Sequence, residues 1–137
     1  MLPVDCLCTL ARRYSRSLTE RYDRALEPSG LKVTQLSLLR AIDRLDKPSL
    51  TELSDATGLD RSTLGRNLRV LEKAELIVLV PGEDERTRIP EITDKARRAV
   101  RKAKLLWETV QKQMLSAHPS SPTAQLQAWN AVLERLE

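Results

Sequence analysis

The segment that begins at Ser49 contains two helix start signals close together, and this feature constrains the fold more than any other. Ser49 stands three residues before Glu52, which fits a capping box, and Gly58 ends the short helix that follows. Asp60 is a favourable N-cap for a second helix over residues 61–73. Two short helices joined by a tight turn predict a helix-turn-helix unit.

Longer helices flank this unit on both sides. Apolar residues recur every three or four positions over residues 4–27, which predicts a long amphipathic helix. A second helix is predicted from Thr34, and a further long one is capped by Thr93. Residues 120–122 are predicted to be a linker before a last helix with a narrow apolar stripe, which favours packing against another helix.

A β-hairpin is predicted between these helices. Residues 76–80 and 87–92 are β-prone and are separated by a charged turn. Pro90 has no backbone N–H, so we expect it to interrupt the second strand and to shorten the hairpin. The predicted fold class is therefore mainly α with a small β-hairpin wing, a winged helix-turn-helix.

The helix over residues 61–73 is predicted to have a cationic outward face. At 100° per residue, its leucines share one side and its basic residues share the other. Arginine can pair with guanine, asparagine with adenine, and serine or threonine with phosphate. No acidic residue occurs on this face before Glu72, which favours groove reading over a plain solvated surface. The predicted DNA-contacting residues here are Ser49, Arg61, Ser62, Thr63, Arg66, Asn67, Arg69 and Lys73.

The turn of the hairpin carries a second set of candidate contacts. Arg86 and Arg88 are expected to reach a minor groove, and Asp84 is expected to orient Arg86 through a salt bridge. The alternative is an ordinary charged turn. A basic run in the following helix contacts phosphate or forms a solvated face; its members are Lys95, Arg97, Arg98, Arg101, Lys102 and Lys104.

In combination, these segments resemble the MarR family of bacterial regulators. The resemblance rests on residues 30–35, 50–54, 59–64, 71–72, 84–86 and 92–96. It implies a homodimer with intertwined first and last helices that binds a pseudo-palindromic operator, usually as a repressor that an effector releases. Residues 1–33 and 94–137 are then the dimerisation segments, and residues 34–93 are the DNA-binding lobe.

The same resemblance raises the question of what the chain senses. Some MarR proteins sense organic peroxides through a first-helix cysteine, and Cys8 and Tyr22 match that pattern. Arg12 replaces a second tyrosine of the pattern, and no resolving cysteine follows Cys8. The alternatives are that Cys8 is a small residue beside the dimer interface and that the effector is a small aromatic compound.

Composition excludes several other classes of protein. With 137 residues and 41% hydrophobic content, the chain supports one structural domain. It has no phosphate-binding loop, no catalytic triad and no cluster of metal ligands around its one histidine, His118, so we expect neither an enzyme nor a cofactor. We expect a cytoplasmic protein without a membrane partner, because no apolar run approaches 18 residues and the first five residues do not resemble a signal peptide.

One alternative of a different class is a winged helix that binds only other proteins. The net charge of +4 is consistent with a polyanion partner but does not establish one. Binding to duplex DNA would weaken steeply with salt because phosphate neutralisation releases counterions. A protein-interaction module would lack that steep dependence.

Overall fold

The computed structural model describes residues 6–117 and 119–136 and has the predicted winged helix-turn-helix architecture. In chain order its elements are α1 (Leu7–Leu26), α2 (Val33–Leu45), α3 (Leu50–Thr57), α4 (Arg61–Lys73), β1 (Ile77–Pro81), β2 (Arg88–Ile92), α5 (Asp94–Ser116) and α6 (Pro122–Glu134). A 3-10 turn (Glu27–Ser29) follows α1. The proposed linker is shorter than expected, because the Ser121 hydroxyl caps α6 and Pro122 is its first residue.

The helix-turn-helix forms through the capping residues that the sequence indicates. The Ser49 hydroxyl accepts a hydrogen bond from the backbone N–H of Glu52 at 3.1 Å. The contact of Glu52 differs from that in the expected capping box. Its carboxylate accepts a hydrogen bond from the Ser49 hydroxyl and not from the Ser49 backbone N–H. Gly58 ends α3 at a φ of 70°, a left-handed conformation that glycine adopts without a steric penalty.

The hydrophobic core lies where α1, α2 and α5 meet the helix-turn-helix. Leu26, Leu39, Leu53, Leu64 and Ala103 are completely buried. Among the described residues, no buried side chain is polar or charged. Burial of each such leucine contributes about 1.5–3 kcal/mol, so the core fixes the position of α4 relative to the long helices.

The wing is a two-stranded antiparallel hairpin, and Pro90 does not interrupt it. Pro90 lies opposite Leu79 and is almost completely buried. The N–H of Thr93 bonds to the carbonyl of Leu76, and that of Gly82 bonds to the carbonyl of Thr87. Because hydrogen-bonded pairs alternate along an antiparallel ladder, Pro90 occupies a position that needs no N–H. The expectation of a shortened second strand was therefore wrong.

The long helix α5 joins the two halves of the chain. Arg97 on α5 forms an ion pair with Asp43 on α2 at 3.0 Å. Tyr22 on α1 donates a hydrogen bond to Oε1 of Gln111 near the other end of α5. None of the helices in the described part of the chain is both long and apolar enough to cross a bilayer.

Candidate nucleic-acid interface

Helix α4 presents an apolar side to the core and a polar side to solvent. Leu64, Leu68 and Leu71 are buried. The opposite side is exposed and consists of Ser62, Arg66, Arg69 and Lys73. The predicted amphipathic division of this helix is confirmed, and a continuous basic strip faces outward.

Asp60 organises the start of α4. Its Oδ1 accepts hydrogen bonds from the backbone N–H of Thr63 and from the hydroxyl of Ser62, both at 2.8 Å. Its Oδ2 accepts from the hydroxyl of Thr63 at 3.1 Å. The Thr63 backbone bond is the main reason that the pKa of Asp60 lies below its ordinary value, and the Ser62 and Thr63 hydroxyls lower it further. The carboxylate therefore stays ionised and fixes two polar side chains at the helix end.

Arg61 is held by the preceding helix. Its Nη2 donates a hydrogen bond to Oγ1 of Thr51 on α3 at 2.7 Å. This contact joins the two helices of the motif on their exposed side and restricts the guanidinium, which otherwise has many rotamers. The predicted contact residue Ser49 caps α3 and is half-buried.

Asn67 and Gly65 occupy the edges of the basic strip. Asn67 is half-buried and lines a cavity on the inner side of α4. An added Cβ at Gly65 would meet no heavy atom within 4 Å, so internal packing does not explain this glycine. The open space beside Gly65 would allow the backbone of a partner to approach this helix closely.

The expected salt bridge between Asp84 and Arg86 does not form at the tip of the wing. Oδ1 of Asp84 accepts a hydrogen bond from the backbone N–H of Arg86 at 3.1 Å, and no ion pair joins the two side chains. The carbonyl of Asp84 also accepts from the N–H of Thr87 at 2.8 Å. Asp84 thus shapes the turn, and the side chains of Arg86 and Arg88 are exposed.

The basic run on α5 divides into two groups. Lys95, Arg97 and Lys104 form ion pairs with Glu75, Asp43 and Glu108 respectively. Arg98, Arg101 and Lys102 are exposed and lie on one side of the helix. Three of the six basic residues therefore have roles within the fold.

A cavity of about 820 Å³ is lined mainly by α2, and residues of the helix-turn-helix and of α5 complete its wall. Its wall includes Arg40, Arg44 and Lys104, together with Trp107 and Asn67. Cζ of Arg40 lies 5.4 Å from the centroid of the Trp107 ring, which is a cation–π distance. The cavity combines an aromatic wall with several cations and reaches the helix that carries the basic strip.

The first-helix residues lie apart from this surface. Cys8 is exposed on α1, whereas Tyr22 is buried and bonded to Gln111. Burial is the main cause of the raised pKa of Tyr22, and Tyr14 adds to it. At the N-cap of α1, the hydroxyl of Thr9 lowers the pKa of the exposed Cys6 thiol. Cys8 is therefore exposed whereas Tyr22 is buried, although the sequence pattern grouped the two residues. Cys6 is a second exposed cysteine, and its surroundings favour the thiolate.

Several residues of this region were not among the sequence-based candidates. Thr51 and Trp107 are far from their partners in sequence, so no local pattern indicates them. Cys6 was detectable in principle, because it stands three residues before Thr9 at the start of a helix. Within the described residues, no group of three His, Cys, Asp or Glu side chains is placed to hold a metal ion, and His118 lies outside those residues.

Comparison with known proteins identifies the family. The model of the MarR family matches residues 29–87. The M. tuberculosis transcriptional regulator MosR, solved in complex with DNA, is 37% identical over 93% of each chain, with a TM-score of 0.83. This chain belongs to the MarR family. No curated protein sequence matches it.

Other MarR-type structures extend the comparison. A second structure of M. tuberculosis MosR is 34% identical over 96% of each chain, with a TM-score of 0.79. The transcriptional repressor CouR bound to p-coumaroyl-CoA shares the fold, with a TM-score of 0.81 over 98% of this chain and 99% of its own, at 22% identity. The MarR architecture therefore extends over nearly the whole chain, beyond the segment that the family model covers.

Proposed function

We propose that this MarR-family chain is a homodimeric transcriptional repressor that binds a pseudo-palindromic DNA operator and responds to an effector. The observation that carries the proposal is the exposed basic strip of α4, which projects from a buried leucine side in a helix-turn-helix. Such a helix enters the major groove in other proteins of this architecture. The 37% identity to MosR, which was solved on DNA, supports the same assignment.

Within this proposal, the residues of the interface have different tasks. Arg66 and Arg69 read base edges, and Lys73 contacts phosphate. The exposed Arg86 and Arg88 of the wing reach the adjacent minor groove, where the electrostatic potential is most negative in narrow stretches. The exposed Arg98, Arg101 and Lys102 on α5 are available for additional phosphate contacts, and the alternative is that they form a solvated face.

Dimerisation is supported by large apolar side chains that are exposed in the described part of the chain. Helix α6 has no buried residue, and Trp129 and Leu133 on it are 58% and 61% exposed. Leu7 on α1 is 67% exposed. Exposure of this much apolar surface indicates an interface. Residues 1–33 and 94–137 therefore form the dimerisation part, and residues 34–93 form the DNA-binding lobe.

An effector site is supported by the cavity beside α4. Its lining has three cations and one carboxylate, Asp43, which is paired with Arg97. The net positive charge beside the Trp107 ring fits a small aromatic anion, and the ligand-bound structure of CouR, which has the same fold, supports a site of this kind. Because Asn67 of α4 lines the same cavity, occupancy would move the recognition helix. Titration with benzoate, followed by Trp107 fluorescence in a Trp129→Phe variant, tests the site.

Organic-peroxide sensing is the second candidate, and the exposure of both cysteines is the observation that favours it. In this version, oxidation of Cys8 weakens operator binding, and Cys8→Ser abolishes the response. Cumene hydroperoxide added to the protein–DNA complex distinguishes the two effector classes. Release in wild type with retention in Cys8→Ser supports the thiol. No release in either protein excludes peroxide sensing and directs the search to small-molecule effectors.

The main experiment is selection from a pool of random duplexes followed by binding to the enriched sequence. We expect an inverted repeat whose half-site centres are about 34 Å apart, because a dimer places two recognition helices in successive major grooves. Arg69→Ala should relax the preference at one position of each half-site. Val70→Ala, an exposed neighbour on α4, is the matched control and should leave the motif unchanged.

Two results would contradict this proposal. Failure to enrich any sequence at low salt would exclude a sequence-specific regulator. Enrichment of a motif without two-fold symmetry would instead exclude the dimeric arrangement. Sedimentation of wild type against Leu133→Glu decides the dimer independently, with a dimer expected for the first and a monomer for the second.

A further inference from the structure

The hydroxyl groups of Ser62 and Thr63 already use their hydrogen atoms within the protein. Ser62 Oγ donates to Oδ1 of Asp60 at 2.8 Å, and Thr63 Oγ1 donates to Oδ2 at 3.1 Å. A hydroxyl has one hydrogen to donate and two lone pairs. With the hydrogen directed at Asp60, each side chain can only accept hydrogen bonds from a partner outside the protein.

The acceptor is an ionised carboxylate, which cannot return a hydrogen bond. An ionised carboxylate has no donor, so the direction of both hydroxyl bonds is fixed. The same two bonds and the Thr63 backbone N–H favour ionisation of Asp60. Thr63 Oγ1 additionally accepts from Nη2 of Arg66 at 3.3 Å, which leaves it one lone pair. Ser62 is exposed and keeps two.

This polarity determines what the two side chains can bind in DNA. Phosphate oxygens are acceptors, so an acceptor-only hydroxyl has no favourable contact with them. In the major groove, the donors are the N6 amino group of adenine and the N4 amino group of cytosine. Guanine and thymine present acceptors on their major-groove edges.

We propose that Asp60 adds to the base specificity of this protein, beyond the bases that Arg66 and Arg69 read, by making Ser62 and Thr63 acceptors that select the amino groups of adenine or cytosine. The inference rests on the proposed function, since it requires α4 to lie in a major groove. Asp60 acts through the two hydroxyls and is a positioning residue. Ser62 and Thr63 are further specificity-determining residues, beside Arg66 and Arg69.

The variant Asp60→Asn tests the polarity directly. Asparagine is as good an N-cap as aspartate, so its amide oxygen can keep the bond from the Thr63 N–H. The amide nitrogen then takes the place of Oδ2 and donates to Thr63 Oγ1. The Thr63 hydrogen is thereby released and points outward, which converts Thr63 from an acceptor to a donor.

The readout is the base motif from random-duplex selection with the wild-type and variant proteins. Wild type should select adenine or cytosine on the strand that faces Thr63, and Asp60→Asn should select guanine or thymine there. Exchange of that base should change affinity by about threefold to tenfold in each case, the effect of one hydrogen bond. The double variant Asp60→Asn with Thr63→Val is the matched control, and it should lose the preference at that position.

The outcomes separate this inference from the proposed function. If wild type enriches no motif, the proposed function fails. If wild type binds selectively and Asp60→Asn keeps the same motif, the polarity inference is overturned. Circular dichroism verifies that Asp60→Asn folds. Should it not fold, Ser62→Ala and Thr63→Val decide: unchanged selection of adenine or cytosine in both overturns the inference, and its loss in either supports it.

Discussion

Nη2 of Arg61 lies 2.7 Å from Oγ1 of Thr51, so the first residue of α4 is bonded to the helix before it. In Thr51→Val this bond is lost with little change in side-chain volume, and the guanidinium regains its rotamers. We expect affinity for the selected duplex to fall by about threefold to tenfold. The Arg61 side chain would no longer be ordered before binding, so its conformational entropy would be lost when DNA binds. Fluorescence anisotropy measures the loss.

Thr51→Ser is the matched control for this prediction, because serine keeps the accepting oxygen. It should bind within about twofold of wild type, as expected when one hydrogen bond is conserved. Equal affinities of the valine and serine variants would show that the contact does not position Arg61 for DNA. Thermal unfolding of both variants verifies that the effect lies in binding and not in folding.

Gly65 within α4 has open space where a Cβ would be placed. Gly65→Ala should therefore stabilise the protein by up to about 1 kcal/mol, because alanine has the higher helix propensity. The same methyl group should lower DNA affinity if the backbone of α4 approaches the bases closely. Chemical denaturation and anisotropy measure the two effects, and a more stable variant with unchanged affinity would show that Gly65 does not approach DNA.

The lowered pKa of Asp60 gives the stability of the protein a defined dependence on pH. A folded pKa below the unfolded value, about 3.9, means that Asp60 stabilises the fold fully above that value. This contribution is lost as the pH falls through the folded pKa. The difference in melting temperature between wild type and Asp60→Ala should thus be present at pH 7 and shrink below about pH 4. A difference that grows in acid would contradict the assignment.

The lowered pKa of Cys6 predicts its reactivity. In a Cys8→Ser background, the pH midpoint of alkylation by iodoacetamide should lie below that of an ordinary free cysteine, because the Cys6 thiolate is favoured. Removal of the Thr9 hydroxyl in Thr9→Val should raise the midpoint, since that hydroxyl is the main cause of the shift. Mass spectrometry of the alkylated peptide follows both reactions, and identical midpoints would exclude a role for Thr9.

Local signals predicted most of the fold, because the chain marks its helix ends with capping residues. Ser49, Asp60 and Thr93 each accept the backbone hydrogen bond expected of an N-cap. The prediction that Pro90 interrupts the second strand was wrong, because a proline disrupts a strand only where its N–H would donate to the neighbouring strand. Which positions donate depends on how the two strands pair, and the sequence does not give that pairing. The spacing of apolar residues and the capping residues of a helix can be identified within one segment of the sequence, whereas the register of two strands depends on both segments together.

The candidate interface was predictable to the level of a helix face but not to individual contacts. The basic strip follows from the 3.6-residue period of α4. The bond between Thr51 and Arg61 and the stacking of Arg40 on Trp107 depend on tertiary packing. Asp84 has the expected partner, Arg86, but bonds to its backbone, a choice that residue types alone do not determine. The direction of the hydrogen bonds of the Ser62 and Thr63 hydroxyls likewise depends on where the Asp60 carboxylate lies, which the sequence does not give.

Binding of the selected duplex across a series of salt concentrations tests the central claim most directly. The logarithm of the association constant should fall linearly with the logarithm of salt concentration, with a slope of about −0.9 for each phosphate neutralised. In Arg86→Gln the slope should be less steep by about two, because each of the two Arg86 side chains in a dimer brings one positive charge into the minor groove and releases about one counterion. Affinity that does not depend on salt, or no binding at the lowest salt, would contradict the assignment of this chain as a DNA-binding regulator.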